Sequence, residues 1–199
     1  MKNSNISRGI ILGIVFISMP LDSRFDKKRR DDNKNQNIEV VKSGDDMLNK
    51  ADQKISEIML NKLLASEAVM LIQTLNYHWN LVGPEFHDYH LLFDKQYNVL
   101  FADMDKLAER VRAIGGQAAG SMKEILSISP LKEDTGKLPE PKKMVVNLLK
   151  QYESLIEQLR DGITHLEKSK DYGTRKFLED LIEQHEKTAW MLRALTGKQ

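Results

Sequence analysis

No cysteine occurs in the 199 residues, which excludes disulfides, thiolate zinc sites and Cys-ligated iron–sulfur clusters. An excess of one charge is also missing. The 30 Lys and Arg face 29 Asp and Glu, for a formal net charge of +1, which argues against a strongly basic nucleic-acid binder. No apolar run is long enough to span a bilayer as a helix, which takes roughly 20 residues. The longest, GIILGIVFISM at residues 9–19, ends at Pro20. Neither strand-like alternation nor an internal repeat is found, so a β or solenoid architecture is not expected. One further absence concerns metal chemistry. A four-helix bundle can hold a metal pair through Glu-x-x-His motifs on two helices. Here the residues three before His78, His87, His90, His165 and His185 are Leu75, Pro84, His87, Gly162 and Ile182. Any iron site is therefore expected to differ from the usual one inside a single bundle.

What remains is a helical chain with a distinct N-terminal extension, residues 1–46. Lys2 and Arg8 followed by the short apolar run resemble a secretory signal over residues 1–23, although no A-x-A cleavage pattern follows. A start at Met19 or Met47 is the alternative. Residues 24–46 include DKKRRDDNKNQN, polar and without periodicity, and are expected to be disordered. The extension carries nine basic and seven acidic residues, leaving 21 and 22 in the remainder. Any basic character thus belongs to the tail.

From residue 47 to 199 the periodicity is helical. Leu60, Leu63, Leu64, Ala68, Leu71, Ile72 and Leu75 predict a first helix from about 47 to 76–80, with Asp45 or Asp46 as its cap. Gly83-Pro84 breaks it. A second helix is predicted over 88–114, with Phe93, Tyr97, Leu100, Phe101, Met104, Leu107, Ala108 and Val111 inward and Gly115-Gly116 as its stop. Ser121 and Glu124 form a capping box for a short helix. The third long helix covers about 141–168. Asp171-Tyr172-Gly173-Thr174 opens the fourth. The expected class is all-α: a four-helix bundle, with the short extra helix in a long connection between helices two and three that allows a crossover.

Five residues carry the functional signal: His78, His90, Asp94, Asp105 and Glu109. All are ligands suited to an oxygen-and-nitrogen metal such as iron. His90/Asp94 and Asp105/Glu109 have i,i+4 spacing, so each pair shares a helix face. Asp105 and Glu109 fall within an inward-looking apolar pattern, where carboxylates need a cation or a partner charge. Asp103, in contrast, is expected to be a solvated surface residue. His165 and His185 are expected to be satisfied structural histidines, and His87 a loop residue rather than a ligand.

Two signatures resemble the Dps family of mini-ferritins. The first is His78-Trp79-Asn80-Leu81-Val82-Gly83 followed by His90 and Asp94. The second is Met104-Asp105-Lys106-Leu107-Ala108-Glu109-Arg110, then Ile114-Gly115 and Ala118. HEKTAWMLRAL, residues 185–195, is similar to the family's last helix. Tyr89 departs from it, because Leu or Val often precedes the second His. The resemblance implies a ferritin-like fold and a homododecameric shell in the bacterial cytoplasm, or outside it if residues 1–23 act as a signal. It implies ferroxidase sites between two-fold-related subunits, each taking two irons. One subunit would give His78, His90 and Asp94, and its neighbour Asp105 and Glu109. Hydrogen peroxide is the implied oxidant, ahead of dioxygen, with ferric oxide stored in the cavity as protection against oxidative stress. Trp79 would intercept stray oxidising equivalents or simply pack at the interface. Glu167, Asp171, Glu179 and Asp180 are candidates for an acidic iron pore, although solvated surface charge explains them equally. DNA compaction is the alternative function. Lys27, Lys28, Arg29, Arg30 and Lys34 would contact phosphates from many tails at once, diluted by Asp26, Asp31 and Asp32.

Overall fold

The computed structural model describes residues 48–197, and the readings made for the N-terminal extension and for Asp45 or Asp46 as a cap lie outside these. Five helices follow one another: α1 (Lys50–Asn80), α2 (Phe86–Ala113), α3 (Met122–Ile128), α4 (Pro141–Leu166) and α5 (Tyr172–Leu195). No strand occurs among the described residues.

Each terminus has a local cause. Asn49 caps α1 by accepting from the Asp52 amide at 2.9 Å. The helix ends where Leu81 turns extended and Gly83 adopts φ 132° just before Pro84. Gly115, at φ 85°, terminates α2. A Cβ at this position would also meet the Gln53 amide nitrogen at 2.5 Å. The Ser121–Glu124 capping box forms as expected at α3. Pro141 starts α4, and the Asp171 carboxylate caps α5.

Short turns at residues 81–85 and 167–171 make α1/α2 and α4/α5 antiparallel hairpins. The two hairpins pack through α1 and α4. The connection between α2 and α4 crosses the length of the bundle. It leaves at the end where Gln53, near the start of α1, donates to the Ile114 carbonyl at 2.7 Å. It arrives at the opposite end, where Pro141 lies beside Gly83. The crossover that the long linker allowed is therefore present.

Leu60, Met70, Tyr77, Phe93, Leu100, Leu107, Leu148, Tyr152, Leu155, Leu159 and Leu178 fill the core. From Leu63 to Leu71 every residue of α1 is buried, so neighbours surround this helix. Two inward assignments fail: Phe101 is 60 % exposed and Ile72 36 %. On α2 the reason is geometric. Its bundle face runs through Phe93, Leu100, Leu107 and Val111, and Phe101 lies one residue, or about 100°, away from Leu100.

Candidate metal centre

The last turn of α1 meets the first turns of α2 at two histidines. The His78 and His90 rings stack with centroids 3.8 Å apart and planes at 18°. The stack is locked reciprocally: Nδ1 of His78 lies 3.1 Å from the His90 carbonyl, and Nδ1 of His90 lies 3.2 Å from the His78 carbonyl. A carbonyl can only accept, so each Nδ1 carries a hydrogen and Nε2 is the nitrogen left to face a ligand. That tautomer suits metal ligation, and fixing it through Nδ1 orients the ring. Phe86 stacks on His90 with centroids 4.9 Å apart, and the Tyr97 ring meets His78 edge-on at 5.2 Å.

Asp94 joins this group one turn beyond His90. The Tyr97 hydroxyl donates to Asp94 Oδ1 at 2.6 Å. The same hydrogen bond raises the Tyr97 pKa above the usual phenol value, so the hydroxyl remains a donor near neutral pH. His78, His90 and the braced Asp94, all half-buried, thus sit at one end of the bundle. Beneath them, the Tyr77 hydroxyl bonds the Asp134 carboxylate, which also accepts from Asn147 at 2.8 Å. This fastens the crossover segment to the residue preceding His78.

Asp105 and Glu109 do not join them in one chain. Both lie on the solvent-exposed side of α2, not in the inward pattern the sequence suggested. Asp105 is eleven positions beyond Asp94, about 16 Å along the helix. All four α2 ligand candidates nevertheless fall on one face, spread over about 100° of the circumference. Leu91 and Phe101, 55 % and 60 % exposed, share that stripe. Trp79, beside His78, is 67 % exposed, so it is not packed within its own chain. His87 belongs to the first turn of α2 and not to a loop.

Two carboxylates need reassignment. Asp103 is 1 % exposed and not a solvated residue. It accepts from Lys106 at 3.2 Å and from the Gln184 amide. Beside it, His185 Nε2 and Glu67 Oε1 are 2.8 Å apart, at 0 % and 1 % exposure. Burial pushes the Glu67 pKa up. Burial also works against the His185 imidazolium, yet the Glu67 carboxylate prevails and raises the His185 pKa above its usual value. Helical register could have found this trio. Asp103 sits three and four positions from Leu100 and Leu107, Glu67 lies within the most apolar stretch of α1, and His185 falls between Leu181 and Ala189. The second reassigned carboxylate is Asp171, which is neither pore lining nor surface charge. It is buried, accepting from Ser56 at 2.9 Å, Arg110 at 2.6 Å and the Thr174 amide at 3.0 Å. Glu179 and Asp180 remain exposed, paired with Arg175 and Lys176.

Comparisons with known proteins agree with this architecture. The ferritin-like domain family matches residues 58–199. DNA protection during starvation protein 2 of Bacillus anthracis is 36 % identical over 141 residues, covering 70 % of this chain and 95 % of that protein. A low temperature-induced protein of Nostoc is 43 % identical over 140 residues, covering 68 % and 76 %. Among solved structures, a Dps protein from Bacillus brevis superposes with a TM-score of 0.71 at 28 % identity, covering 74 % and 98 %. A Dps protein from Vibrio cholerae, described as a ferritin-like diiron-carboxylate protein, gives 0.71 at 31 %, covering 74 % and 92 %.

Proposed function

Because this chain belongs to the Dps family of ferritin-like proteins, we propose that it is an iron-oxidising mini-ferritin whose ferroxidase centre is completed only between two subunits. The observation that carries this reading is the symmetry of the α2 stripe. Asp94 and Asp105 are centred on the point between Val99 and Leu100, and so are His90 and Glu109. A two-fold axis crossing α2 there lays two copies antiparallel, with His90 and Asp94 of one facing Glu109 and Asp105 of the other. Leu91 and Phe101, unpartnered in one chain, supply apolar surface for that contact. Twelve such subunits, paired in this way, make the shell that would store the ferric product.

Iron is the substrate. His78 and His90 present Nε2 toward Fe²⁺, which favours mixed imidazole and carboxylate ligation. Asp94, Asp105 and Glu109 add the hard oxygens that favour Fe³⁺. Two Fe²⁺ held together deliver two electrons to hydrogen peroxide: 2 Fe²⁺ + H₂O₂ + 2 H⁺ give 2 Fe³⁺ + 2 H₂O, with no hydroxyl radical released. Dioxygen is the slower oxidant. Trp79, next to His78 and exposed in one chain, is placed to take up a stray oxidising equivalent. The setting is the bacterial cytoplasm. Among the described residues no helix is long and apolar enough to cross a membrane.

Replacing both carboxylates, Asp105→Ala with Glu109→Ala, abolishes the fast phase of Fe²⁺ oxidation by peroxide. Unchanged kinetics in the assembled double variant reject the site. DNA protection is the second reading, favoured by the names of relatives such as a nutrient stress-induced DNA-binding protein of Nostoc, 27 % identical. It rests on the basic residues of the tail. A gel-shift series against salt tests it, and no retardation at low ionic strength rejects it.

A further inference from the structure

The trio Glu67, Asp103 and His185 has no part in the interface centre. It lies in the middle of the bundle, one residue each from α1, α2 and α5, with a ligand atom from each all within 4.8 Å of one another. We propose that it is a second metal site, one per chain, that takes a divalent transition-metal ion inside the bundle.

Several observations point to a cation as occupant. Glu67 Oε2 and His185 Nδ1 are buried and find no hydrogen-bond partner among the described residues. Unpartnered polar atoms at the centre of a core carry a large desolvation cost. Gln96, two turns before Asp103 on the same face of α2, is 4 % exposed and also has both amide atoms unpartnered. Within the trio itself, Glu67 Oε2 and His185 Nδ1 are ligand atoms that the chain does not use. Charge balance agrees. Two carboxylates and a neutral imidazole sum to −2, and a divalent ion cancels this. Without the ion, the Lys106 ammonium at Asp103 is the cation next to the trio.

The geometry is near that required. Two ligands of a tetrahedral ion, each about 2.1 Å from it, are about 3.4 Å apart, so atoms all within 4.8 Å of one another reach that spacing by side-chain adjustments on the order of an ångström. Mixed nitrogen and oxygen ligation with no thiolate suits Fe²⁺, Mn²⁺, Co²⁺ or Zn²⁺ over a soft ion. Entry is available on one side. Asp103 reaches outward to Lys106, whose side chain is 57 % exposed, and to the half-buried Gln184. An incoming cation takes over Asp103 from the ammonium. This site uses none of the positions of a Glu-x-x-His motif, which the chain lacks.

The test uses the assembled shell with the interface centre removed (His78→Ala, His90→Ala and Asp105→Ala), titrated with Co²⁺ and followed by visible absorption and equilibrium dialysis. One Co²⁺ per chain is expected. Adding Glu67→Gln or His185→Gln weakens it at least tenfold, while adding Lys106→Ala tightens it several-fold. If the shell with His185→Gln does not assemble, Glu67→Gln, which keeps the shape of the side chain, decides alone. No Co²⁺ bound in the interface-deficient shell shows an ion pair only and overturns the site, as does binding that Glu67→Gln leaves intact. Because three of the five interface ligands are already absent, both histidines among them, either outcome leaves the interface reading untouched.

Discussion

Mixing two inactive variants provides the sharpest test of the divided centre. One carries His78→Ala and His90→Ala, the other Asp105→Ala and Glu109→Ala, and each shell alone lacks the fast ferroxidase phase. Dissociated, mixed in equal amounts and reassembled, half of the two-fold pairs contain one copy of each. In such a pair one centre has lost both halves, and the other combines intact histidines from one copy with intact carboxylates from the other. About one quarter of all centres are thereby restored. A centre built within one chain predicts none, because neither variant owns a complete set. The roughly 16 Å between Asp94 and Asp105 along α2 already exceeds what a metal pair about 4 Å apart can bridge. Stopped-flow absorbance of the ferric product measures the amplitude, and native mass spectrometry verifies that shells are mixed. Mixed shells with zero recovered fast phase refute the two-fold pairing.

Two further outcomes follow from individual contacts. Tyr97→Phe removes the hydroxyl that orients Asp94, and metal affinity or the fast-phase rate falls about 10- to 100-fold while the thermal midpoint moves little. A loss of helicity in that variant contradicts the assignment of Tyr97 as a positioning residue. Asp171→Asn destabilises the fold by about 2 kcal/mol near neutral pH, since it leaves the partly buried Arg110 without its counter-charge. Burial alone raises the Asp171 carboxyl, but Thr174, Ser56 and Arg110 together hold it below the usual carboxylate range. A depressed folded pKa stabilises above the unfolded value, and that contribution is lost as pH falls through the folded one. The difference between wild type and Asp171→Asn in thermal midpoint, at fixed protein concentration, therefore shrinks in strong acid. A gap that is constant with pH refutes the ionic role.

The helices were legible because their ends obey local rules that need no tertiary information. Gly83-Pro84, Gly115-Gly116, Ser121 with Glu124, and Asp171 each stop or cap a helix where the periodicity pauses. The meeting of His78 and His90 was legible for a related reason: they flank the five-residue turn at 81–85 that joins two antiparallel helices. What failed was the assignment of faces on α2. That helix carries two stripes with apolar character, one toward its own bundle and one at the outer surface through Leu91 and Phe101. Periodicity measures a repeat and not its destination, so Asp105, Glu109 and Phe101 were assigned to the wrong side. Asp103 failed in the opposite direction. Its charge suggested water, whereas its register with Leu100 and Leu107 placed it inside, where Lys106 and Gln184 receive it.

The reciprocal grip between His78 and His90 bears on the kinetics of iron capture by the proposed centre. Each ring is held by the other's backbone before any metal arrives. The conformational entropy of aligning these ligands is lost during folding and not at the moment of capture. In the proposed centre Fe²⁺ would therefore meet a preformed pair of donors, with little ordering left to slow its capture. Fe³⁺, which prefers oxygen over imidazole, would leave the same pair without any rearrangement of the chain, and such a half-site would have nothing to relax between one iron and the next.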